Sequence, residues 1–348
     1  MKAFTPDQIS IIVPVYNAGP FLSEGLESLR AQTHAMIDVI LVDDGSSDDS
    51  RAICERFAAK DPRFRVFSQA NGGPGSARNA GMERITGEFF GFMDADDTLD
   101  PCFCERMIAL LRGQGADIAV CDFEKGGRPE GKWPAGVFDG GEILREFAAG
   151  GFFNRTLNKI YRSASFGDIR FPEGMDYAED AVWTARALSR ATRVVRVPDP
   201  LYHYRFVETS LTNVRVKSQR RMCAYYVNVL ARDEILLDGL RPEHAREREK
   251  IAREALDIMT NMLESWFDLR VFDAYDTARA FARRHEALLH QCALRDAERT
   301  LRILCARSDP RAAARAQRLR ALCSPAVPLR RKARLLFRAK NHIAGIDR

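Results

Sequence analysis

No run in these 348 residues approaches the roughly 20 uncharged apolar residues that a membrane-spanning helix requires. The apolar stretch nearest the N-terminus, Ile9 to Val15, is short and stops at Tyr16-Asn17. No small-residue cleavage site follows it, so a secretory signal is not expected. Cysteine is sparse and shows no paired spacing. The eight residues, Cys54, Cys102, Cys104, Cys121, Cys223, Cys292, Cys305 and Cys323, are scattered along the chain. Cys102 and Cys104 lack a further Cys or His at loop distance to complete a tetrahedral metal set, so reduced thiols in a cytosolic protein are the expectation. No internal repeat is visible.

Acidic residues are almost missing from one end. The whole chain has 53 Lys and Arg against 48 Asp and Glu, a net charge of +5. Residues 1–215 hold 25 basic and 31 acidic side chains, whereas residues 216–348 hold 28 and 17. The tail, 311–348, carries 11 Lys and Arg against Asp347 alone. Length argues for more than one unit, and the change of sign places the expected boundary near 215. Within the tail, Leu329, Leu336 and Ile343 return to nearly one helix face among Arg330, Arg331, Lys332, Arg334, Arg338 and Lys340. A basic amphipathic helix of this kind either lies on an anionic membrane surface or docks on the helices before it.

What the sequence does have is an alternation of strand and helix signals. Ile9 to Val15 is β-branched and continuous enough for a strand buried on both faces. Pro20 opens a helical pattern with Leu22, Leu26 and Leu29 on one face. Ile37 to Val42 is a second strand, after which Ser47, Asp48 and Asp49 read as the capped, acidic first turn of a helix. Phe64 to Phe67 and Phe89 to Met93 are further strands, separated by a Gly-rich loop and a helix near Ser76 to Arg84; Asp117 to Phe123 closes the series. The pattern defines an α/β fold with a mostly parallel sheet covered by helices on both sides. From about residue 126 the rhythm breaks into a loop-rich stretch. Helical patterns follow near Gly141 to Ala149 and Glu179 to Arg190, then short strands at Arg193 to Val197 and Leu201 to Phe206. Beyond Thr212 the composition is helical.

Ligands of open parallel sheets sit at the carboxyl ends of the strands, and here those ends are polar. They carry Tyr16-Asn17, Asp43-Asp44-Gly45, the loop Gln69 to Asn79 with Arg78, and Asp94-Ala95-Asp96-Asp97. Two carboxylates flanking one residue, Asp94 and Asp96, offer hard oxygen ligands of the kind that suit Mg²⁺ or Mn²⁺. Taken alone, such a triplet more usually caps a helix or sits in a turn, and the glycines of the loop could simply make a tight turn. The loop lacks the lysine of a phosphate-binding P-loop.

Read in order, IIVPVYNAG, VDDGSSDDS, NGGPGSARNAGM, GFMDADD and YAEDAVW closely resemble a non-processive family 2 glycosyltransferase of the GT-A fold. The resemblance covers about residues 8–215. It implies a Rossmann-like GT-A domain over 1–215, followed by a mainly α-helical region over 216–348. It also implies an inverting transfer of one sugar from a UDP-sugar donor to a glycan or lipid-linked acceptor, in cell-surface polysaccharide synthesis. Pro14 and Tyr16 would border the uracil, Asp44 would accept its N3 proton, and Asn71 and Arg78 would line the nucleotide side. Asp94 would face the ribose and the metal, and Asp96 would be the principal ligand of Mn²⁺ or Mg²⁺. The Glu179-Asp180 pair would supply the general base, normally the Asp, though adjacent acids are not separable from sequence.

Tyr202-His203-Tyr204-Arg205 reads most simply as an edge strand; by the same resemblance Arg205 would lie over the donor diphosphate, while a single His203 on a strand reads as structural or exposed rather than as a further metal ligand. Processive members carry membrane-spanning helices and a Gln-x-x-Arg-Trp motif, both missing from the sequence. The chain is expected in the cytoplasm, either free or peripheral on the inner membrane, without a nucleic-acid partner. Two rival classes were a sugar-nucleotide nucleotidyltransferase and a nucleic-acid-binding protein using the basic tail. The first needs a basic Gly-rich loop after strand one, which Pro14 to Gly19 does not provide. The second leaves the acidic strand ends unexplained, since they repel phosphates.

Overall fold

The computed structural model describes residues 3–126, 128–130, 134–149, 155–174, 177–207 and 219–265, with short stretches between 277 and 292. The tail 311–348 lies outside the described residues. Two compact units divide the chain, Met1–Asn228 and Val229–Arg348.

The first unit is built on one mixed sheet. In chain order its elements are β1 (Thr5–Val15), α1 (Gly19–Arg30), β2 (Ile37–Asp43), α2 (Ser50–Lys60), β3 (Phe64–Ser68), α3 (Gly73–Met82) and β4 (Gly87–Phe92). There follow β5 (Thr98–Leu99), α4 (Phe103–Gly113), β6 (Ile118–Lys125), β7 (Arg128–Glu130), β8 (Gly136–Asp139) and α5 (Gly140–Ala148). Then come β9 (Lys159–Arg162), α6 (Ser163–Phe166), α7 (Glu179–Arg190) and β10 (Arg193–Tyr204). Strands lie in the order β3-β2-β1-β4-β9-β6-β10-β5, with β7 beside β6 and β8 beside β10. Strands β3, β2, β1 and β4 pair in parallel, as do β6 and β10. The reversed strand β9 pairs antiparallel with both β4 and β6 and joins these two groups. Six strands therefore point their carboxyl ends to one edge, which fits the expected mostly parallel sheet.

Why these residues form this core follows from their burial. All seven residues of β2 are buried, and so are Ile9, Ile11, Ile12 and Val13 of β1, so the central strands are sealed on both faces. Helix α1 begins at Gly19 with Pro20 in its first turn and buries Leu22, Leu26 and Leu29, the face read from the sequence. Helix α7 is anchored by Trp183, which stacks on Phe171 at 5.5 Å and meets Tyr161 edge-on at 4.8 Å. Asn79 on α3 exchanges two hydrogen bonds with the Phe171 backbone, at 2.8 and 3.0 Å. These contacts fix the start of α7 beside α3.

Several local expectations are corrected. Helix α2 starts at Ser50, not at Ser47; Ser47 instead donates its N–H to Asn17 Oδ1 at 2.8 Å, drawing the tips of β1 and β2 together. The two expected strands at 193–197 and 201–206 are one strand, β10, whose register shifts around Pro200 because proline has no N–H to give the ladder. Strands β5 and β9 were not expected; in the loop-rich stretch from 126 to 141, which leaves room for a hairpin, β7 folds back on β6 while β8 pairs with β10.

Helix α8 (Gln219–Gly239) follows, and the second unit contains its C-terminal part and α9 (Ala245–Ser265). No helix among the described residues is long and apolar enough to cross a membrane.

Candidate active site

The carboxyl edge of the sheet gathers most of the residues singled out from sequence. At the tip of β1, Pro14 is half-buried and Tyr16 stands 53% exposed. At the tip of β2, Asp44 is buried. Its Oδ1 accepts the Gly72 amide at 2.9 Å and Gln69 Nε2 at 2.8 Å, and its Oδ2 accepts the Gly73 amide at 2.8 Å. Asp44 thus satisfies unpaired N–H groups at the start of α3, where the helix dipole favours a negative charge. It holds the Gly-rich loop closed, and a carboxylate with about four acceptor positions keeps one for a ligand donor. Exposed Asn71 lies beside it: a Cβ on left-handed Gly45 would come within 3.1 Å of the Asn71 amide.

After β4 the chain turns through three acids. Oxygens of Asp94, Asp96 and Asp97 lie within 4.8 Å of one another. Asp97 is fully buried and structural: it accepts the Tyr202 hydroxyl at 2.6 Å and the Arg205 amide at 2.8 Å, tying the turn to the end of β10. Asp94 and Asp96 keep partial exposure. Burial and the neighbouring Asp94 push Asp96 up to about 6; burial, Asp94 and Asp96 push Asp97 up to about 8. Crowded carboxyls of this kind hold charge only when something positive joins them.

Arg78 is the connection that sequence did not reveal. Its guanidinium, buried on α3, reaches Asp94 Oδ1 at 2.9 Å with one nitrogen and Glu179 Oε1 at 2.9 Å with another. The acid turn and the start of α7, remote in sequence, are therefore one electrostatic unit. Ala178, just before them, adopts the left-handed conformation with φ 62°, so α7 begins abruptly at Glu179. Glu179 is buried and engaged by Arg78. Asp180 is partly exposed, with Oδ1 on the Ala181 amide at 2.8 Å. Burial pushes both carboxyls up while Arg78 pulls both down; Glu179 ends at about 7.

Arg205 is engaged away from the acid side chains. It donates to the Asp96 carbonyl at 2.9 Å and to Glu24 on α1 at 2.5 Å. His203 alternates to the other face of β10, 3.6 Å from Glu124, and is not part of the acid cluster. Sequence reading passed over Lys159 as well. This lysine is fully buried and donates to the carbonyls of Arg155 and Leu157 at 2.8 and 3.2 Å and to Asn158 Oδ1 at 3.0 Å. Its signal was a lysine set among apolar residues in Leu157-Asn158-Lys159-Ile160-Tyr161.

The donor set fits a divalent cation. Asp94 and Asp96 offer partly exposed hard oxygens, and their mutual repulsion would be relieved by bound charge. Magnesium keeps several positions for water and phosphate, which a two-carboxylate site leaves available.

An open sheet with an acid turn and a Glu-Asp helix start at one edge places this domain in the GT-A class of folds. Residues 10–170 match the family model described as Glycosyl transferase family 2. The succinoglycan biosynthesis protein ExoO of Rhizobium meliloti (strain 1021) is 30% identical over 300 residues, taking in 80% of this chain and 84% of that protein. EpsH of Bacillus subtilis (strain 168) is 34% identical over 222 residues, 58% of this chain and 62% of EpsH, less than two thirds of its length. Among solved structures, S. aureus TarS 1-349 in complex with UDP is 25% identical with a TM-score of 0.57, covering 71% of this chain and 70% of that one. Its complex with UDP-GlcNAc superposes over 97% and 92% with a TM-score of 0.66 at 21% identity, a likeness of fold. The chain belongs to glycosyl transferase family 2.

Proposed function

We propose that the protein is an inverting glycosyltransferase that moves one sugar from a UDP-sugar to a glycan or lipid-linked acceptor, in polysaccharide synthesis. The observation that carries the reading is Arg78 joining Asp94 to Glu179, because it sets the general-base motif beside the diphosphate-binding turn. The UDP held by TarS and the succinoglycan role named for ExoO support the donor and the product class.

In this reading Tyr16 and Asp44 orient the uracil, the latter by accepting its N3–H, with Pro14 and Asn71 bordering it. Asp94 and Asp96 would hold Mg²⁺ or Mn²⁺, which supplies positive charge to the leaving diphosphate. Arg78 fixes Glu179 in an ion pair, so Asp180 is the acid with a carboxylate oxygen to spend on the acceptor. Asp180 takes the proton of the acceptor hydroxyl as that hydroxyl oxygen bonds the anomeric carbon; the opposite C–O bond breaks and UDP leaves with the electron pair. Burial raises the Asp180 carboxyl, which strengthens it as a base. Arg205 reaches the diphosphate only by giving up Glu24.

The test is transfer from a panel of UDP-sugars with Mn²⁺, measured as UDP released with and without glycan acceptors. Asp180→Asn is expected to lower turnover by about 10²–10⁴-fold while UDP still binds. Near-normal turnover in that variant, with Glu179→Gln inactive, would move the base by one residue.

A further inference from the structure

The carboxyl edge has a second end. Reading along the sheet, Asp44 follows β2, Tyr16 follows β1 and the acid turn follows β4; then come Arg155 before β9, Lys125 at the end of β6 and Tyr204 at the end of β10. Apart from Arg205, whose side chain turns back to the Asp96 carbonyl and Glu24, the groups assigned to the nucleotide lie on one side of Asp94 and Asp96. Arg155, Lys125, Tyr204 and Phe206 lie on the other.

Those four make a cationic aromatic platform. The Arg155 guanidinium carbon sits 4.4 Å from the centre of the Tyr204 ring. The Lys125 ammonium is 5.5 Å from that ring and 5.7 Å from the ring of Phe206, which is 57% exposed. Cations at such distances are attracted by the ring faces and so stay with them. Beside it lies only a shallow dent of about 10 Å³, lined by Phe123, Arg155, Leu157, Asn158, Tyr202 and Tyr204, so the platform is a surface rather than an enclosed pocket. The Tyr202 hydroxyl continues to Asp97 and the Asp94 amide, so the dent adjoins the acid turn.

Arg155 is held from below, where Lys159 binds the Arg155 and Leu157 carbonyls and left-handed Asn158 pairs with the Cys121 backbone. An aromatic face beside a polar rim suits a sugar ring, and an Arg and a Lys on that rim suit negative charge on it.

Resting on the transferase reading above, we propose that this platform is the acceptor subsite and that it selects an anionic glycan, one bearing a carboxylate or a phosphate close to the accepting sugar. Position argues against the donor diphosphate as the partner of Lys125, which stands two strands beyond the acid turn.

The experiment is calorimetry on the full chain saturated with UDP and Mn²⁺. The probes are trigalacturonate, its carboxyl-reduced counterpart, glucose 6-phosphate and glucose. At least one charged probe is expected to bind ten-fold or more tightly than its neutral partner, and which one does tells carboxylate from phosphate. Arg155→Gln and Lys125→Gln should each weaken that probe about ten-fold with UDP affinity changed less than two-fold. Retained UDP binding also shows that each variant is folded; should Arg155→Gln not fold, Lys125→Gln carries the test. Equal binding of charged and neutral probes, or none by either, overturns the proposal. Loss of UDP affinity as large as loss of the probe would assign the cations to the donor instead. Failure of the chain to bind UDP at all would overturn the transferase reading rather than the subsite.

Discussion

Lys159 shows what a single buried charge does for this site. A lysine is rarely buried unless its donors are matched, and here three oxygens face it. Lys159→Met is expected to leave these oxygens without their donor and to destabilise the fold by about 1–3 kcal/mol, measured by urea unfolding. Transfer should fall further than the lost stability explains, because the segment bearing Arg155 loses its anchor. Unchanged unfolding in the variant would reduce Lys159 to a spectator. At this scale the position of a candidate residue was legible wherever it sat on a strand tip: Asp44, Asp94 and Asp96 fall on the edge where the strand ends were read to be, whereas Asp180, at the start of α7, was singled out only by the resemblance. The partnership of Arg78 with Glu179 was not legible, since it spans 101 positions and exists only because the fold sets α3 against the start of α7. Nor was the division of labour within Asp94 to Asp97: only the fold shows Asp97 holding Tyr202 and the Arg205 amide while its neighbours face outward.

Among the elements, α1 braces the acid turn directly. A Cβ added at Gly25 would lie 2.9 Å from the Asp97 carbonyl and 3.4 Å from the Ala95 carbonyl, both backbone atoms. Gly25→Ala must therefore shift either the helix or the turn, at a cost of about 1–3 kcal/mol. The expected signature is weaker Mn²⁺-dependent UDP binding by calorimetry together with a lower melting temperature. A lower melting temperature with normal UDP binding would mean that the helix moves and the turn does not. The central strands and α1, α3 and α7 were readable because long apolar runs and helical periodicity are local signals. Strand β9, only Lys159–Arg162, carries no such run, and its place between β4 and β6 is decided by pairing with residues about 40 and 70 positions away. Strand β5, of two residues, and β8 are likewise defined only by partners on β10.

At the level of the molecule, the second unit has its own titrating centre. Asp233 is fully buried; its Oδ1 accepts from Arg232 at 2.6 and 3.0 Å, and its Oδ2 has no partner among the described residues. Burial, opposed by Arg232 and aided by Glu254, pushes the carboxyl from 3.8 up to about 7. Between those values the folded chain keeps a proton that the unfolded chain releases, so stability falls as pH rises through that window. Asp233→Asn should lack this slope and gain about 1–3 kcal/mol over the parent near neutral pH, read from melting curves at pH 4 to 8. Parallel curves for the two proteins would remove Asp233 from the account. The tail 311–348, with its 11 basic residues, is proposed to bring the chain to an anionic membrane, each contributing about 1 kcal/mol near the surface. Full-length protein should pellet with anionic vesicles in a salt-sensitive way, and a chain ending at Ser324 should not; equal pelleting excludes the tail. The linear order of the sheet edge bears finally on descent. The tips of β2 and β10 are five strand spacings apart, about 24 Å, beyond the range over which substitutions ordinarily couple. Mutations at the two ends should therefore be nearly additive, and on the proposed assignment a lineage could trade one acceptor for another by rewriting the ends of β6, β9 and β10 while leaving the proposed nucleotide side unchanged.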